Sequence, residues 1–540
     1  MADPRSARLR LLLLVRLLWG VAWRVGLIAA LGALAACAFR PLAWWPAMLV
    51  GVGALAVLAG RVPRARWALL VGWLWGLGHF TLGLNWIATA FTYQAKMPAW
   101  LGGLAVLLLS AYLAVFPALA AWGAWAARRR PLAQALAFAG CWALAEALRG
   151  WLFTGFPWNP LAASLLGDFA HPGLAALLPW LGTYALSALA ALLAAVVGQA
   201  VLALWQGERS PWRLAPAGAA LALLALAFHG PAKAPQEGGH VAYTVVQPNI
   251  PQPELNDPTY FEDQFQKTAR LSRAIGPAGP RLVLWPESGV PDFLREGYPL
   301  EYYQATTFAA DPLLARLRIG RLIGPQAQLL TGSIDLIMAG NRVAGARNVV
   351  TGLDSAGRIT GSYAKAHLVP YGEYLPMRWL LKPLGLERLV PGDMDFTPGP
   401  GPATLDLGVL GKAGVQICYE IIFPGAVVDG AHRPEYIFNP SNDGWFGDWG
   451  PPQHLAQARL RAIEEGLPVL RATTNGISAV VDSHGVVVQS AGRDVAARLD
   501  GTVPPALAPT PFASAGNALS LGWALLLLVA AALVLRRRER

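Results

Sequence analysis

The sequence predicts a polytopic α-helical membrane protein with an α/β domain inserted before its last span. Three observations predict it. Of 540 residues, 55% are hydrophobic and 14% charged, against roughly 25% charged in an ordinary soluble chain. Arginine-rich segments recur at alternate connections between the apolar runs, as the positive-inside rule requires. From His240 onward, continuous apolar runs give way to short β-type segments separated by helical ones.

About eight stretches approach the roughly 20 apolar residues that a bilayer crossing needs. They are Leu18–Phe39, Trp44–Ala59, Trp67–Phe91, Trp100–Ala127, Leu132–Leu148, Leu174–Leu202, Leu214–Phe228 and Leu519–Leu535. The second, fifth and seventh are short, which leaves their boundaries soft. Basic clusters fall at Arg5/Arg8/Arg10, Arg61/Arg64/Arg66, Arg128/Arg129/Arg130, Arg209/Arg213 and Arg536/Arg537/Arg538/Arg540. An even number of crossings with both termini in the cytoplasm fits them, and the segment before the last span then faces outward. Arg149 beside Glu146 is an exception among the sparsely charged outer connections. The expected organisation is a transmembrane region over residues 1–232, an extracytoplasmic domain over 233–515, and a last helix with a basic tail over 516–540.

The net charge of +11 follows largely from these anchors and argues for anionic lipid contact rather than nucleic-acid binding, for which no aromatic-interleaved basic stripe exists. The basic start before Leu11–Leu14 lacks a small-residue cleavage site and reads as retained. Cys37, Cys141 and Cys418 form neither a disulfide framework nor a metal-ligand spacing, and the histidines of the inserted domain are scattered, so no metal and no cofactor is expected.

Within the inserted domain, Val241–Gln247, Arg281–Trp285, Leu329–Ile334, Asn348–Leu353, Arg358–Tyr363, Val415–Cys418, Tyr436–Asn439 and Val469–Ala472 read as strands. Ile477–Ser490 reads as a hairpin around Asp482-Ser483-His484-Gly485. Tyr260–Ile275 and Gln453–Glu465 read as helices, the second with Leu455, Ala458, Ala462 and Ile463 on one apolar stripe. Alternating strands and helices imply a sheet with helices packed on it. Pro251–Pro258 and Tyr371–Pro402 read as long loops. Tyr371–Leu386 carries an apolar load that suits a lipid-contacting lid, with Trp379 and Leu381 among its residues.

Cys418 is the lone cysteine of this domain, at the end of Gly414-Val415-Gln416-Ile417. It is either a buried structural thiol or a nucleophile, and a nucleophile needs a base and an anion stabiliser. Glu287, after Trp285-Pro286, and Lys365, after Tyr363-Ala364, each end a predicted strand and fit those roles. A positive charge at Lys365 is expected to favour the thiolate.

Together these three residues resemble the Glu-Lys-Cys triad of the nitrilase superfamily. The surrounding words resemble its membrane-embedded apolipoprotein N-acyltransferase family. They are Thr154-Gly155-Phe156-Pro157-Trp158, Val246-Gln247-Pro248-Asn249-Ile250-Pro251-Gln252, Trp285-Pro286-Glu287-Ser288, His367 to Pro376, Ile417-Cys418-Tyr419-Glu420-Ile421-Ile422, Ser441 to Gly447 and Thr474-Asn475-Gly476-Ile477-Ser478. The resemblance implies a nitrilase-like αββα sandwich. It also implies ping-pong transfer of an acyl chain from a phospholipid, with phosphatidylethanolamine expected, to the α-amino group of an S-diacylglyceryl cysteine on a lipoprotein. Cys418 would be the nucleophile and Glu287 the base. Lys365 and the Tyr419 N–H would hold the oxyanion, Glu373 would orient Lys365, and Glu420 and Trp445 would lie near the pocket. The implied setting is a bacterial inner membrane with the catalytic domain in the periplasm, and the expected state is a monomer. Phe512 stands where the resemblance leads one to expect tyrosine.

Other readings stay open at this level. Glu420 can pair with an arginine, Trp445 can be a core aromatic, Asp443 can serve an Asx turn beside Gly444, and His367 or His454 can be satisfied structural histidines. A membrane-tethered nitrilase-type amidase would use the same triad. A transporter or lipoprotein-binding protein is disfavoured by the few ionisable residues within the spans.

Overall fold

In the computed structural model, which describes residues 20, 22–93, 98–236, 238–275, 279–384 and 395–537, four helices are long and apolar enough to cross a bilayer. They are Trp100–Ala126, Pro131–Arg149, Gly173–Trp205 and Asn517–Arg536. Ala65–Gly83 and Ile87–Tyr93, bent by 53° at a short break, make a fifth if they count as one span. Pro46–Arg61 is apolar but shorter, rising about 24 Å against a hydrocarbon core of about 30 Å. Ala22–Ala36 and, within helix Pro211–His229, Leu214–His229 are further apolar stretches, and the expected span from Leu18 begins outside the described residues. The expected count near eight thus meets four or five long helices among the described residues. Small residues let the helices close: a Cβ on Gly198 would lie 2.7 Å from the Gly53 carbonyl oxygen.

The inserted domain holds two six-stranded sheets. The first has the order β12-β1-β2-β3-β4-β5, with β1 Ala242–Gln247, β2 Arg281–Leu284, β3 Ala327–Ala339, β4 Arg342–Asp354, β5 Ile359–Ala364 and β12 Ala497–Thr502. The second has the order β11-β10-β9-β8-β7-β6, with β6 Thr404–Asp406, β7 Lys412–Val415, β8 Tyr436–Ser441, β9 Val469–Thr473, β10 Ala479–Val481 and β11 Val487–Ser490. In each sheet three neighbouring strands are parallel (β1-β2-β3 and β7-β8-β9) and the rest pair antiparallel.

Alternation decides the layers. Val245, Leu282, Leu284, Leu330 and Val350 of one sheet pack against Val415, Phe438, Leu470, Ala472 and Val480 of the other. Val246, Val283, Trp285 and Leu329 point outward onto Ile319 and Ile323 of helix Pro312–Ile323, with Phe265 of helix Phe261–Ser272 beside them. Ile437, Val469, Ala479 and Val481 of the second sheet pack on Leu455, Ala458 and Ala462 of helix Gly450–Glu465.

That last helix departs from the single stripe expected of it. Ala456, Leu460 and Ile463 on its other side join Leu161, Leu165, Tyr184 and Leu186 of the membrane region, so it is buried nearly all round. Two of its long polar side chains are bonded rather than solvated: Arg459 donates to the carbonyls of Gly485 (2.8 Å) and Gly167 (2.9 Å). Gln453 uses its whole amide, accepting from Trp86 Nε1 (3.1 Å) and Trp158 Nε1 (2.8 Å) and donating to the carbonyls of Arg40 (3.0 Å) and Gly83 (3.2 Å). Trp86 and Gly83 flank the break in the bent helix pair, so the break is tied to the inserted domain.

Other expectations shift. The strand read as Val415–Cys418 ends at Val415, and Cys418 opens a 3-10 turn. β6 and β12 were not foreseen, and β3 and β4 run longer than expected around a Gly340-Asn341 turn. The Tyr371–Leu386 loop contains a short helix, Arg378–Leu381, and its end at Leu386 lies outside the described residues. Phe512 is fully enclosed on a short helix capped by Thr510 and abuts Gly182, where helix Gly173–Trp205 kinks.

Candidate active site

Three strand ends deliver the site. Beyond β2, Trp285 N–H still bonds Leu330 O (3.0 Å) and Gly332 N–H bonds Pro286 O (3.1 Å), which holds the course of the chain into Glu287. Position 332 must be glycine, since a Cβ there would lie 1.6 Å from the Glu287 carbonyl oxygen. Lys365 follows β5 directly, its N–H bonded to Asn348 O at 2.9 Å. Cys418 starts the turn Cys418–Ile422 with φ of +50°, a left-handed conformation that costs a non-glycine residue of order 1–2 kcal/mol.

Lys365 is enclosed between two carboxylates, with Nζ 3.1 Å from Glu287 Oε1 and 3.0 Å from Glu373 Oε1. Asn348 Nδ2 donates to the same two oxygens, at 2.9 and 3.0 Å. The other oxygens accept backbone donors: Asn442 N–H reaches Glu287 Oε2 (2.9 Å) and Val369 N–H reaches Glu373 Oε2 (2.8 Å). Burial alone would lower the Lys365 pKa, but Glu287 and then Glu373 outweigh it and hold the ammonium protonated.

The Cys418 thiol is pushed well above its ordinary pKa by burial first and by Glu287 second, with Lys365 opposing. Lys365 does favour the thiolate, as expected, but desolvation of the sulfur outweighs one shared cation.

Glu420 takes no arginine. Its Oε1 accepts from Tyr363 OH (2.8 Å), Ala366 N–H (2.7 Å) and His367 N–H (3.0 Å), and its Oε2 accepts from Ile417 N–H (2.7 Å). It thus ties the Cys418 turn to the segment that carries Lys365. Burial raises its pKa to about 7 against those donors. Tyr419 OH donates to Gly155 O (3.2 Å), and His367 Nε2 bonds Thr154 O (2.7 Å), which brings the Thr154–Trp158 segment to the rim of the site. That segment is anchored by the exceptional pair near the helix end. Arg149 donates to Trp158 O (2.8 Å), while Glu146 accepts from Trp142 Nε1 (2.9 Å) and Leu161 N–H (2.8 Å). Half-buried Trp445 packs edge-on to Tyr93, with centroids 5.8 Å apart.

The Asx reading of Asp443 is overturned. Asn442 Oδ1 accepts from Gly444 N–H (3.2 Å), whereas Asp443 is held by Arg471 and His454. Sequence reasoning also missed Asn348 and Tyr363, whose only signal is a polar group inside a strand.

Three comparisons bear on this site. The family model described as "Apolipoprotein N-acyltransferase N-terminal domain" matches residues 31–196, and that described as "Carbon-nitrogen hydrolase" matches residues 243–506. The apolipoprotein N-acyltransferase of Rhodopseudomonas palustris is 35% identical over 97% of this chain and 96% of its own length. That of Bradyrhizobium diazoefficiens is 35% identical over 97% of each, and that of Azotobacter vinelandii 35% identical over 93% of this chain and 95% of its own. Among solved structures, the Nesterenkonia AN1 amidase from the nitrilase superfamily aligns over 53% of this chain and 95% of its own, at 18% identity and a TM-score of 0.33. On the full-length identities, this chain is an acyltransferase and belongs to the apolipoprotein N-acyltransferase family.

Proposed function

We propose that the protein transfers an acyl chain from a membrane phospholipid, phosphatidylethanolamine being the expected donor, to the free α-amino group of the S-diacylglyceryl cysteine at a lipoprotein's N-terminus. Cys418 Sγ attacks the ester carbonyl while Glu287 takes the thiol proton. Collapse expels the lysophospholipid oxygen, which recovers that proton, and leaves a thioester. The amine then attacks the thioester and gives its proton to Glu287. Collapse forms the amide and releases the sulfur, which takes the proton back. Lys365 Nζ and the Tyr419 N–H hold the oxyanion of both tetrahedral intermediates, each such donor being worth about 3 kcal/mol. Glu373 shares and orients Lys365.

The observation that carries this reading is the enclosed Glu287–Lys365–Glu373 cluster beside a thiol on a strained turn. No acceptor among the described residues meets the Tyr419 N–H, which suits an oxyanion donor. The frame supports a lipid substrate, since the turn adjoins the Thr154–Trp158 segment of the membrane region. If the three shorter apolar helices cross alongside the four or five long ones, the basic clusters fall inside and the domain faces the periplasm of a bacterial inner membrane.

The test is mass spectrometry of Cys418 after incubation with phosphatidylethanolamine alone, then with a diacylglyceryl-cysteine peptide. The expected result is a hydroxylamine-labile acyl mass that forms without peptide and moves to its amine. No adduct with any phospholipid, on a folded protein with a reactive thiol, would favour the amidase reading instead.

A further inference from the structure

Behind Cys418 lies a buried polar chain that the acyl transfer above leaves unused. His454, on helix Gly450–Glu465, places Nε2 3.0 Å from the Cys418 carbonyl oxygen and Nδ1 3.0 Å from Asp443 Oδ1. Arg471, on β9, places Nη2 2.7 Å from both Asp443 oxygens and 3.0 Å from His454 Nδ1, and Nη1 2.9 Å from Ser441 Oγ. His454 and Arg471 are completely enclosed and Asp443 nearly so. Trp158 and Phe446 wall the imidazole.

The geometry fixes the hydrogen on Nε2, because a carbonyl oxygen only accepts. Nδ1 faces both an acceptor, Asp443 Oδ1, and a donor, Arg471 Nη2, each at 3.0 Å. Burial, and after it the Arg471 charge, lowers the His454 pKa, with Asp443 opposing. Asp443 stays ionised at about 2 because Arg471 overrides a burial that would raise it.

The bonded oxygen belongs to a particular peptide. Cys418 C=O and Tyr419 N–H are the two ends of one planar trans unit and point in opposite directions. A donor that grips the oxygen therefore aims the hydrogen, and it polarises the amide so that the N–H donates more strongly. The second donor to this oxygen, Asn439 Nδ2, is at 3.4 Å and is weak. The left-handed backbone at Cys418 needs such a restraint.

We propose that His454 is a positioning residue for the oxyanion site: its Nε2–H locks the Cys418–Tyr419 peptide plane so that the Tyr419 N–H faces the acyl oxygen, while Asp443 and Arg471 lock the ring. The proposal rests on the acyl-transfer reading of Cys418.

The test compares two reactions at one sulfur in the full-length protein. Alkylation by iodoacetamide builds no oxyanion. Acylation by p-nitrophenyl butyrate does, as the Sγ–acyl bond forms and p-nitrophenolate leaves. His454→Phe should alkylate within about threefold of wild type yet acylate about 100-fold more slowly, the loss of one oxyanion donor. His454→Gln, which can return an N–H near the Nε2 position, should recover at least about tenfold of that loss. His454→Asn, which is smaller, replaces the Phe variant if that one does not fold. Parallel loss of both reactions, or acylation unchanged in every variant, would overturn the proposal. A wild type acylated by the chromogenic ester but not by phosphatidylethanolamine vesicles would sink the substrate reading alone. A wild type that alkylates but accepts neither ester would sink both.

Discussion

Lys365 lies as close to Glu373 as to the expected base, with Nζ 3.0 Å from Glu373 Oε1, and the pair is almost sealed from solvent. One ammonium between two carboxylates leaves a net negative cluster beside the thiol. The cation is shared between the two, so Glu287 is not wholly claimed by it.

Glu373→Gln keeps the shape and removes the charge, so that Lys365 turns wholly to Glu287 and weakens it as a base. Thioester formation should fall roughly 10- to 100-fold, about 1.4–2.7 kcal/mol of barrier. Glu373→Ala should fall further, because the Val369 N–H also loses its acceptor. Single-turnover mass spectrometry measures both, and a wild-type rate in the Gln variant would show that this charge is idle.

Lys365→Met leaves Glu287 and Glu373 facing each other without a cation. Breaking a buried pair in this way typically costs about 3–5 kcal/mol. The variant should be inactive and unfold at a lower temperature in detergent, and adding Glu373→Gln should return part of the stability. Unfolding at the wild-type temperature would argue that water reaches the cluster.

Because burial holds the Cys418 thiol above its ordinary pKa, alkylation by iodoacetamide should climb about tenfold per pH unit through neutrality, following the thiolate fraction. A plateau near neutral pH would instead mean a resting thiolate. Lys365→Met should slow alkylation at any given pH, since it removes the cation that opposes the shift.

Glu420 supplies a pH dependence of stability. Burial raises its pKa from 4.5 to about 7 in the folded protein. Across that window the folded state keeps a proton that the unfolded chain has released, so stability falls as pH rises and the fall is complete above about 7. The ceiling is about 3 kcal/mol. Glu465, also raised to about 7 by burial, adds in the same direction. Glu420→Gln and Glu465→Gln should each flatten the unfolding-versus-pH curve between about 5 and 7, and a curve unchanged in both would mean that neither carboxyl titrates there.

Trp379 is 78% exposed and lies with Arg378, Lys382 and Pro383 on an open patch beyond the site. An exposed indole beside cations suits the bilayer interface. Trp379→Asp should impair acylation of Cys418 by vesicle phospholipid at least about tenfold while leaving alkylation unchanged, the cost of carrying a carboxylate into the headgroup region. Equal loss of both reactions would make the loop merely structural.

Much of this was legible in the chain. Arg281–Leu284 and Tyr436–Ser441 announce themselves by short apolar runs that stop at turn residues, and the triad candidates follow strand ends. What escaped has a common cause. Asn348 and Arg471 act through partners far away in sequence, and a polar residue inside a buried element carries no local sign of the partner it will meet. Helix Gly450–Glu465 misled for a related reason. One apolar stripe accounts for only part of its burial, since Gln453 and Arg459 bind backbone carbonyls and tryptophans of the membrane region.

The same helix limits how this enzyme can be taken apart. Cutting the chain to release the inserted domain would strip Gln453 of all four partners and Arg459 of two of its three carbonyls, and would bare Ala456, Leu460 and Ile463 to water. His454 stands one residue from Gln453, so loosening that wall loosens the grip on the Cys418 carbonyl. A soluble fragment therefore cannot be obtained by deletion alone. The wall would have to be rewritten, and the Cys418 backbone re-anchored from within the domain.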